Sequence, residues 1–219
     1  MAAVSRQIVQ GFRQVAAASV ADAVDRVVER RGFMSATIRP VFPAAIVGPA
    51  ATVLEGPDGQ PVPPIHALEA IDQSPPGTVI VIGTEDPGAA EDVAVWGGLM
   101  TTAAMVRGLE GAVLDGGVRD LREQREMKFP IFSRSIITST TVGRYASLAG
   151  DVPVTCGDVT VRPGDLVVGD EDGVVVVPAE RAEEVLKAAR EIEETEQRMA
   201  DEIRRQGSIT GALKKFGRI

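Results

Sequence analysis

Two apolar, β-branched runs on either side of one helical stretch place the strongest constraint on how this chain can fold. The first, residues 78–82 (Thr-Val-Ile-Val-Ile), ends at Gly83 and has no polar face, as expected of a strand covered on both sides. An Ala/Met/Thr-rich stretch over residues 99–108 follows, and residues 111–115 return as a second such run. A strand, a helix and a strand in this order predict an α/β protein with a central parallel sheet.

Flanking segments complete one predicted domain over residues 1–219. Residues 4–31 contain no proline and predict two short helices. Beyond Gly143 the pattern becomes β, so we expect a hairpin layer to follow the α/β unit. The strand-like runs of this layer are residues 159–161, 166–168 and 174–177.

A long acidic helix is predicted over residues 178–206. Pro178 and several glutamates stand at its start, where they suit the first turn and the helix dipole. Its apolar stripe is sparse, which is typical of a helix that projects toward a neighbouring subunit or solvent. We expect residues 207–219 to be a tail.

Composition and charge exclude several classes of function. The 23 Lys and Arg residues face 31 Asp and Glu, and the resulting charge of −8 disfavours a nucleic-acid groove. No window approaches the roughly 20 apolar residues of a membrane span. The single Cys156 excludes an intramolecular disulfide, and the N-terminal residues lack signal-peptide features, so we expect a cytoplasmic protein. One cysteine and one histidine are too few for structural zinc, so any metal would be held by oxygen atoms.

Two glycine-rich turns are candidate ligand sites. Residues 96–100 (Trp-Gly-Gly-Leu-Met) open the central helix, where free amides can bind a carboxylate or phosphate; a tight connection is the alternative. Residues 115–120 (Asp-Gly-Gly-Val-Arg-Asp) follow a strand at the sheet edge where α/β proteins bind ligands. There Arg119 can hold a carboxylate or enolate oxygen and Asp120 can bind Mg²⁺, although a surface ion pair is the alternative.

Other candidate residues have weaker signals. His66 and Glu69 share a helix face and could form a base with its orienting acid or half of a metal site, but a core-edge histidine is favoured. Cys156 has no basic neighbour in the sequence to activate its thiol. The acidic residues within 191–196 are typical of a solvated helix face, and one of them could reach across an oligomer interface.

Gly97-Gly98-Leu99-Met100 followed by residues 108–120 (Gly-Leu-Glu-Gly-Ala-Val-Leu-Asp-Gly-Gly-Val-Arg-Asp) resembles the signature of the RraA-like family. Further segments agree with it, so the resemblance covers nearly the whole chain. These segments are residues 19–25, 48–53, 163–170 and 173–178.

The resemblance implies a layered α/β/β sandwich that assembles as a trimer or hexamer with active sites between subunits. The family includes Mg²⁺- or Mn²⁺-dependent aldolases that act on 4-hydroxy-4-methyl-2-oxoglutarate and 4-carboxy-4-hydroxy-2-oxoadipate and that also decarboxylate oxaloacetate. It therefore implies a lyase that forms pyruvate and a second oxo-acid from a small 2-oxo-acid substrate. The alternative is a non-catalytic oligomeric binding protein, because the family's namesake inhibits a ribonuclease.

The same resemblance assigns roles to individual residues. Arg119 and Asp120 would be catalytic: Arg119 would stabilise the pyruvate enolate, and Asp120 would bind the metal with waters completing its shell. Glu196 of a neighbouring subunit would reach the metal through water. The implied substrate-binding residues are Gly97, Gly98, Leu99, Met100 and Arg119, with the amides of Leu99 and Met100 holding a carboxylate.

One position departs from the family's aldolases, which carry an acid where Gly98 stands here. In them that acid orients the waters of the metal. Glu91 or Asp92, a few residues upstream, could replace it, or the site could admit a different substrate.

Overall fold

A computed structural model of the protein describes residues 4–217; the ends of the predicted domain, residues 1–3 and 218–219, lie outside the described residues. No helix between residues 4 and 217 has the length and apolar character to cross a membrane. The helices are α1 (Arg6–Phe12), α2 (Ala17–Val28), α3 (Ile65–Gln73), α4 (Pro87–Ala90), α5 (Gly98–Val106), α6 (Leu121–Met127), α7 (Ala182–Gln206, after a 3₁₀ turn at Ala179–Arg181) and α8 (Ile209–Phe216). The strands are β1 (Arg39–Pro40), β2 (Ile46–Pro57), β3 (Val79–Thr84), β4 (Ala94–Trp96), β5 (Gly111–Val118), β6 (Ile131–Ile136), β7 (Tyr145–Gly150), β8 (Val154–Cys156), β9 (Val159–Val161), β10 (Leu166–Asp170) and β11 (Gly173–Val177).

The predicted strand, helix and strand form the centre of the main sheet. Its strand order is β1-β6-β5-β3-β2-β10-β11, with β4 paired to β5 and β7 paired to β2. Strands β2, β3, β5 and β6 are mutually parallel, and one row of paired residues crosses all four. That row is Thr52, Val81, Val113 and Phe132. The central parallel sheet predicted from the apolar runs is therefore confirmed.

Both faces of the central strands are covered, which explains their continuous apolar sequences. Ile80 and Ile82 belong to a core with Ala67 of α3, Ala90 of α4 and Ala104 of α5. The intervening residues of β3 face a second core, which includes the β8–β9 hairpin. A third core lies between α1, α2 and α7 and the outer face of β10 and β11. The predicted α/β/β layering is confirmed.

The sparse apolar stripe of helix α7 predicted that the helix projects from the domain, but its first half is packed against other elements. Val185, Leu186, Ala189 and Ile192 are buried in the core formed with α1, α2 and the β10–β11 hairpin. The prediction was wrong for this half of the helix. One or two apolar residues per turn are enough to bury a helix face when the neighbouring helix is rich in alanine, because its small side chains allow close packing.

The prediction of a tail over residues 207–219 is also wrong for most of that segment, because residues Ile209–Phe216 form α8. Ser208 starts the helix by accepting a hydrogen bond from the Gly211 amide at 3.0 Å. The Glu202 carboxylate of α7 accepts hydrogen bonds from Arg205 and from Lys215 Nζ, at 3.0 Å for the lysine, and these contacts lower the pKa of Glu202 to about 2. The contact between Glu202 and Lys215 thus connects α8 to α7.

Glu55 is a fully buried carboxyl on β2, in register with Thr84 of β3 and Ser147 of β7. Neither carboxyl oxygen, nor the Ser147 hydroxyl, has a hydrogen-bond partner within residues 4–217. Burial raises the pKa of Glu55 from 4.5 to about 8. The folded protein consequently retains a proton at neutral pH that the unfolded chain releases.

We expect Glu55→Gln to stabilise the protein at pH 8 much more than at pH 5. Because the folded-state pKa of Glu55 is raised, the contribution of this residue to stability is most favourable below about pH 4.5 and is lost as the pH rises toward about 8. The variant should gain on the order of 4 kcal/mol in free energy of unfolding at pH 8 and less than about 1 kcal/mol at pH 5. Urea denaturation at both pH values measures this difference.

Glu85→Gln is the matched control, because Glu85 is an exposed acid that directly follows β3, the strand paired with β2. Its free energy of unfolding should change by about 0.5 kcal/mol or less at either pH. A stabilisation by Glu55→Gln that is the same at pH 5 and pH 8 would contradict the assignment.

Candidate active site

Two loops that the sequence marks as candidate sites meet at one edge of the sheet. One joins β4 to α5 at Gly97, and the other joins β5 to α6 at Arg119 and Asp120. The Arg119 amide donates to the Trp96 carbonyl at 3.1 Å, and the Gly98 amide donates to Asp120 Oδ2 at 2.8 Å. These bonds bring together the glycine turn and the Arg-Asp pair, which are more than 20 residues apart in sequence.

Both glycines of the first turn leave space that carboxylate groups approach closely. A Cβ at Gly97 would lie 2.9 Å from Asp120 Oδ2. A Cβ at Gly98 would collide with the Glu123 carboxylate and lie 3.5 Å from Asp120 Oδ2. Neither glycine has a positive φ, so the feature that these positions offer is space beside the two carboxylates and not an unusual backbone conformation.

Arg119 and Asp120 are held in place while about half of each side chain remains accessible. Arg119 Nη1 donates to the Ser139 carbonyl at 3.4 Å, and the Arg119 carbonyl accepts from Gln124 Nε2 at 2.7 Å. Asp120 adopts a left-handed backbone with φ 64°, a strained conformation for a non-glycine residue. Arg119 Nε lies 3.7 Å from Asp120 Oδ2, so the guanidinium forms only a long contact with its neighbour.

Contacts of the Trp96 side chain stabilise the start of α5. The indole Nε1 of Trp96 donates to Thr101 Oγ1 at 2.8 Å, and the Thr101 hydroxyl donates to the Gly97 carbonyl at 3.2 Å. The Trp96 ring stacks on Phe129, with centroids 6.1 Å apart. These contacts keep the first turn of α5 aligned with the Arg-Asp loop.

The two loops border a cleft of about 210 Å³, a size that suits a small organic acid. It contains every predicted substrate-binding residue, and it also contains residues of α3 and of the loop before β7 that the sequence did not single out. The lining residues are Pro64, Leu68, Ala94, Val95, Trp96, Gly97, Gly98, Leu99, Met100, Arg119, Asp120, Thr140, Thr141 and Val142.

The backbone amides in the first turn of α5 differ in whether they have a hydrogen-bond partner. The Gly98 amide is engaged by Asp120, whereas the amides of Leu99 and Met100 have no hydrogen-bond partner in the described part of the chain. The free amides are the two that the sequence resemblance assigned to a substrate carboxylate. A helix N-terminus with unpaired N–H groups favours such an anion.

Glu123 is the residue of this region that the sequence analysis missed. Its carboxylate lies against Gly98, a residue that lines the cleft together with Asp120. The spacing of three residues from Asp120 at the start of a helix was the signal available, since residues i and i+3 share a helix face. Glu91 and Asp92, the sequence-based candidates for this position, are not among the residues nearest Gly98.

Glu196 is exposed on α7 and lies in a separate groove bordered by Ala16 and Ser19 of the α2 region. It does not reach Asp120 within one chain, so its predicted role depends on a second subunit. That role stays a prediction.

Asp115, the first residue of the Arg-Asp motif, lies in the interior and not in the cleft. Its Oδ1 accepts from Arg134 Nε at 2.6 Å and from the Gly157 amide at 3.0 Å. Burial raises the pKa of the Asp115 carboxyl, and the contacts with Gly157 and Arg134 oppose that rise. The neighbouring Cys156 is fully buried, and burial raises the pKa of its thiol, which makes it unsuited to nucleophilic attack. Both residues have structural roles here.

His66 and Glu69 form the predicted pair, with His66 Nδ1 and Glu69 Oε2 3.4 Å apart. They border a groove on the opposite side of α3 from the cleft, next to Gln73 and Gly150. Within residues 4–217 no third His, Cys, Asp or Glu side chain joins this pair as a potential metal ligand.

The residues around Asp120 fit Mg²⁺ or Mn²⁺. Gly97 and Gly98 leave a cradle that a Cβ would fill, and the carboxylates of Asp120 and Glu123 border it. Mg²⁺ is commonly held by one or two carboxylates, with waters and substrate oxygens completing its coordination. The donor set is hard oxygen and contains neither sulfur nor imidazole, which disfavours zinc.

Comparison with known proteins identifies relatives over most of the chain. The profile of the RraA-like family, described as Aldolase/RraA, matches residues 17–176. A protein of Halalkalibacterium halodurans, provisionally named 4-hydroxy-4-methyl-2-oxoglutarate aldolase, is 31% identical over 181 residues, covering 82% of this chain and 80% of that protein.

Solved structures share the fold. An uncharacterized protein from Pseudomonas syringae pv. tomato superposes with a TM-score of 0.83 at 32% identity, covering 97% of this chain and 99% of that one. Streptomyces coelicolor RraAS2, described as an unusual member of the RNase ES inhibitor RraA protein family, superposes with a TM-score of 0.82 at 28% identity, covering 91% of this chain and 99% of that one.

Proposed function

Because the chain belongs to the RraA-like family, Aldolase/RraA, we propose that it is a divalent-metal-dependent lyase of 2-oxo acids. The proposed reactions are cleavage of a 4-hydroxy-2-oxo dicarboxylic acid to pyruvate and a second oxo-acid, decarboxylation of oxaloacetate, or both. The name of the Halalkalibacterium halodurans relative supports the substrate class.

One observation carries the proposal: a single cleft contains a guanidinium, a carboxylate and two free amides. Arg119 and Asp120 come from one loop, and the amides of Leu99 and Met100 come from the start of α5. A 2-oxo dicarboxylic acid offers a carboxylate for the amides and a 2-oxo group for the guanidinium. The site therefore matches the charge distribution of the proposed substrates.

Arg119 would act where negative charge develops. When the bond between C3 and C4 breaks, its electron pair moves into the 2-oxo group and leaves a pyruvate enolate. In aldol cleavage the 4-hydroxyl group loses its proton to water and becomes the oxo group of the second product, whereas decarboxylation of oxaloacetate releases carbon dioxide. A proton from water at C3 then converts the enolate to pyruvate. The guanidinium of Arg119 would donate hydrogen bonds to the enolate oxygen, and it is already held by the Ser139 carbonyl. Donors that are fixed before the reaction lower the barrier because they need no reorganisation.

Asp120 would hold the cation, with Mg²⁺ or Mn²⁺ as the proposed ion. When bound, such a cation supplies Lewis-acid polarisation of the 2-oxo group. The Gly98 N–H donates to one oxygen of Asp120 and so fixes the orientation of its carboxylate. The other oxygen has no hydrogen-bond partner within residues 4–217 and remains available to a ligand.

We expect Asp120→Asn to abolish metal-stimulated turnover. Asparagine can still accept the Gly98 N–H, so the loop should keep its structure while the charge is lost. Pyruvate release from oxaloacetate and from 4-hydroxy-4-methyl-2-oxoglutarate should fall by about 100-fold or more. The assay is run with Mg²⁺, with Mn²⁺ and with EDTA, and EDTA should reduce the wild type to the level of the variant.

Asp92→Asn is the control, because Asp92 is exposed and lies outside the cleft. It should keep the turnover of the wild type. Metal-stimulated turnover in Asp120→Asn would contradict the proposed metal site.

A second candidate function is a non-catalytic binding protein, and exposed apolar side chains on α5 favour it. Leu99 and Val106 of α5 are 90% and 83% exposed. Exposed apolar patches commonly mark interaction surfaces, and the relative RraAS2 is described within a family of ribonuclease inhibitors. A folded wild type that releases no pyruvate from either substrate with either metal would favour this function.

For either function we propose a homo-oligomer, a trimer or a hexamer. In such an assembly a neighbouring subunit could bring Glu196 to the cleft of the first. Sedimentation analysis of the purified protein measures the assembly directly.

A further inference from the structure

Glu123 is an exposed residue whose carboxylate lies close to the start of α5. It lies in the first turn of α6 with its carboxylate against Gly98, where a Cβ would collide with it. The carboxylate has no hydrogen-bond or ion-pair partner in the described part of the chain. Glu126, one turn along the same helix, behaves differently, because its Oε1 pairs with Arg122 Nε at 3.3 Å.

Glu123 and Asp120 both lie close to the position that a Cβ at residue 98 would occupy. The place where a Cβ of residue 98 would stand is 3.5 Å from Asp120 Oδ2 and in contact with Glu123 Oε2. Two adjacent carboxylates repel each other unless a cation lies between or beside them. Arg119 is the nearest basic side chain shown here, and its Nε stands 3.7 Å from Asp120 Oδ2.

We propose that Glu123 is a second carboxylate of the cation site and shares a divalent cation with Asp120. This inference rests on the proposed function, which places the cation at Asp120. Gly98 then has a specific role, because the absence of a side chain at position 98 allows the Glu123 carboxylate to approach Asp120. One or two carboxylates are the usual protein ligands of Mg²⁺ and Mn²⁺.

The alternative is that Glu123 only stabilises α6. An acid in the first turn of a helix interacts favourably with the helix dipole, and it does so without any metal. The two roles differ in what they predict for metal affinity, so binding of Mn²⁺ itself is the decisive measurement.

Mn²⁺ binding to the full chain is measured by titration, with free Mn²⁺ followed by electron paramagnetic resonance and with no substrate present. Glu123→Gln should weaken Mn²⁺ binding by about 10- to 100-fold. Gly98→Ala should also weaken it, because the new Cβ would push the Glu123 carboxylate away while leaving every charge in place. Glu126→Gln is the matched control on the same helix and should change the dissociation constant by less than about twofold.

The outcomes separate this inference from the proposed function. If Glu123→Gln binds Mn²⁺ like the wild type while Asp120→Asn does not, Glu123 is only a helix-stabilising residue and the proposed function stands. If the wild type itself binds no Mn²⁺, both are wrong. Weaker binding in Glu123→Gln and Gly98→Ala, with circular dichroism spectra like that of the wild type, supports a shared cation.

Discussion

Arg119→Ala is expected to reduce kcat/KM for oxaloacetate decarboxylation by about 10²- to 10³-fold, while the protein remains folded. Among residues 4–217 the guanidinium is the one cationic side chain that lines the cleft, and the enolate of the proposed reaction is anionic. Removal of a single preorganised donor to a developing oxyanion commonly has an effect of about this size. Stability should change little, because about two fifths of the side chain is exposed and its contacts with Ser139 and Asp120 are long.

Mn²⁺ affinity separates the role of Arg119 from that of the carboxylates. Arg119→Ala leaves Asp120 in place, so the variant should bind Mn²⁺ at least as tightly as the wild type while it fails to turn over. Arg119→Lys should recover only part of the activity, because an ammonium group lacks the planar fork of a guanidinium. Arg122→Ala, an exposed arginine of α6, is the control and should be fully active. Turnover in Arg119→Ala within about threefold of the wild type would contradict the proposed role of Arg119 in stabilising the enolate.

Arg134→Met should destabilise the protein by about 3–5 kcal/mol at pH 8. Arg134 is the ion-pair partner of Asp115, and their side chains are only 8% and 0% exposed. Removing one member of a buried pair leaves a charge in the interior without compensation, which is among the most destabilising single changes. Methionine fills much of the same volume, so lost packing contributes less than the unpaired carboxylate.

The pH dependence of that loss identifies its cause. Burial raises the pKa of Asp115, and without Arg134 it should rise further, so the folded variant can relieve the strain by taking up a proton. A raised folded-state pKa gives stability that is present at low pH and is lost as the pH rises. The variant should therefore lose less free energy of unfolding at pH 5 than at pH 8, as measured by urea denaturation.

Two variants complete this experiment. Asp115→Asn combined with Arg134→Met should be more stable at pH 8 than Arg134→Met alone, because asparagine can accept the Gly157 N–H without a charge. Arg122→Met removes an exposed ion pair and should cost about 0.5 kcal/mol or less. A double variant no more stable than the single one would show that the unpaired charge is not the cause.

The elements of this fold could be predicted where the signal is local. The runs at residues 78–82 and 111–115 are apolar on both faces, and this pattern alone indicates covered strands. The glycine pair before α5 and the Arg-Asp pair after β5 were recognisable as turns at a ligand-binding edge, because parallel strands place their carboxyl ends together. The cleft brings these residues into one place.

The errors arose where the outcome depended on neighbours distant in sequence. Asp115 belongs to the same short motif as Asp120, yet Arg134 on the adjacent strand holds it in the interior. Helix α7 packs along its first half because α2 offers it small side chains. Residues 209–216 form a helix whose contact with Glu202 could not be inferred from a composition typical of a tail.

Local periodicity, glycine placement and the order of strands and helices were sufficient to establish an α/β protein with Arg119 and Asp120 at the carboxyl edge of its sheet. Only the packing of α6 against the start of α5 decided that Glu123, and neither Glu91 nor Asp92, lies against Gly98. The reason is physical: a side chain's own segment sets its direction along a helix or strand, whereas its partner depends on which other segment is packed there. The carboxylates beside Gly98 are therefore a property of the folded chain.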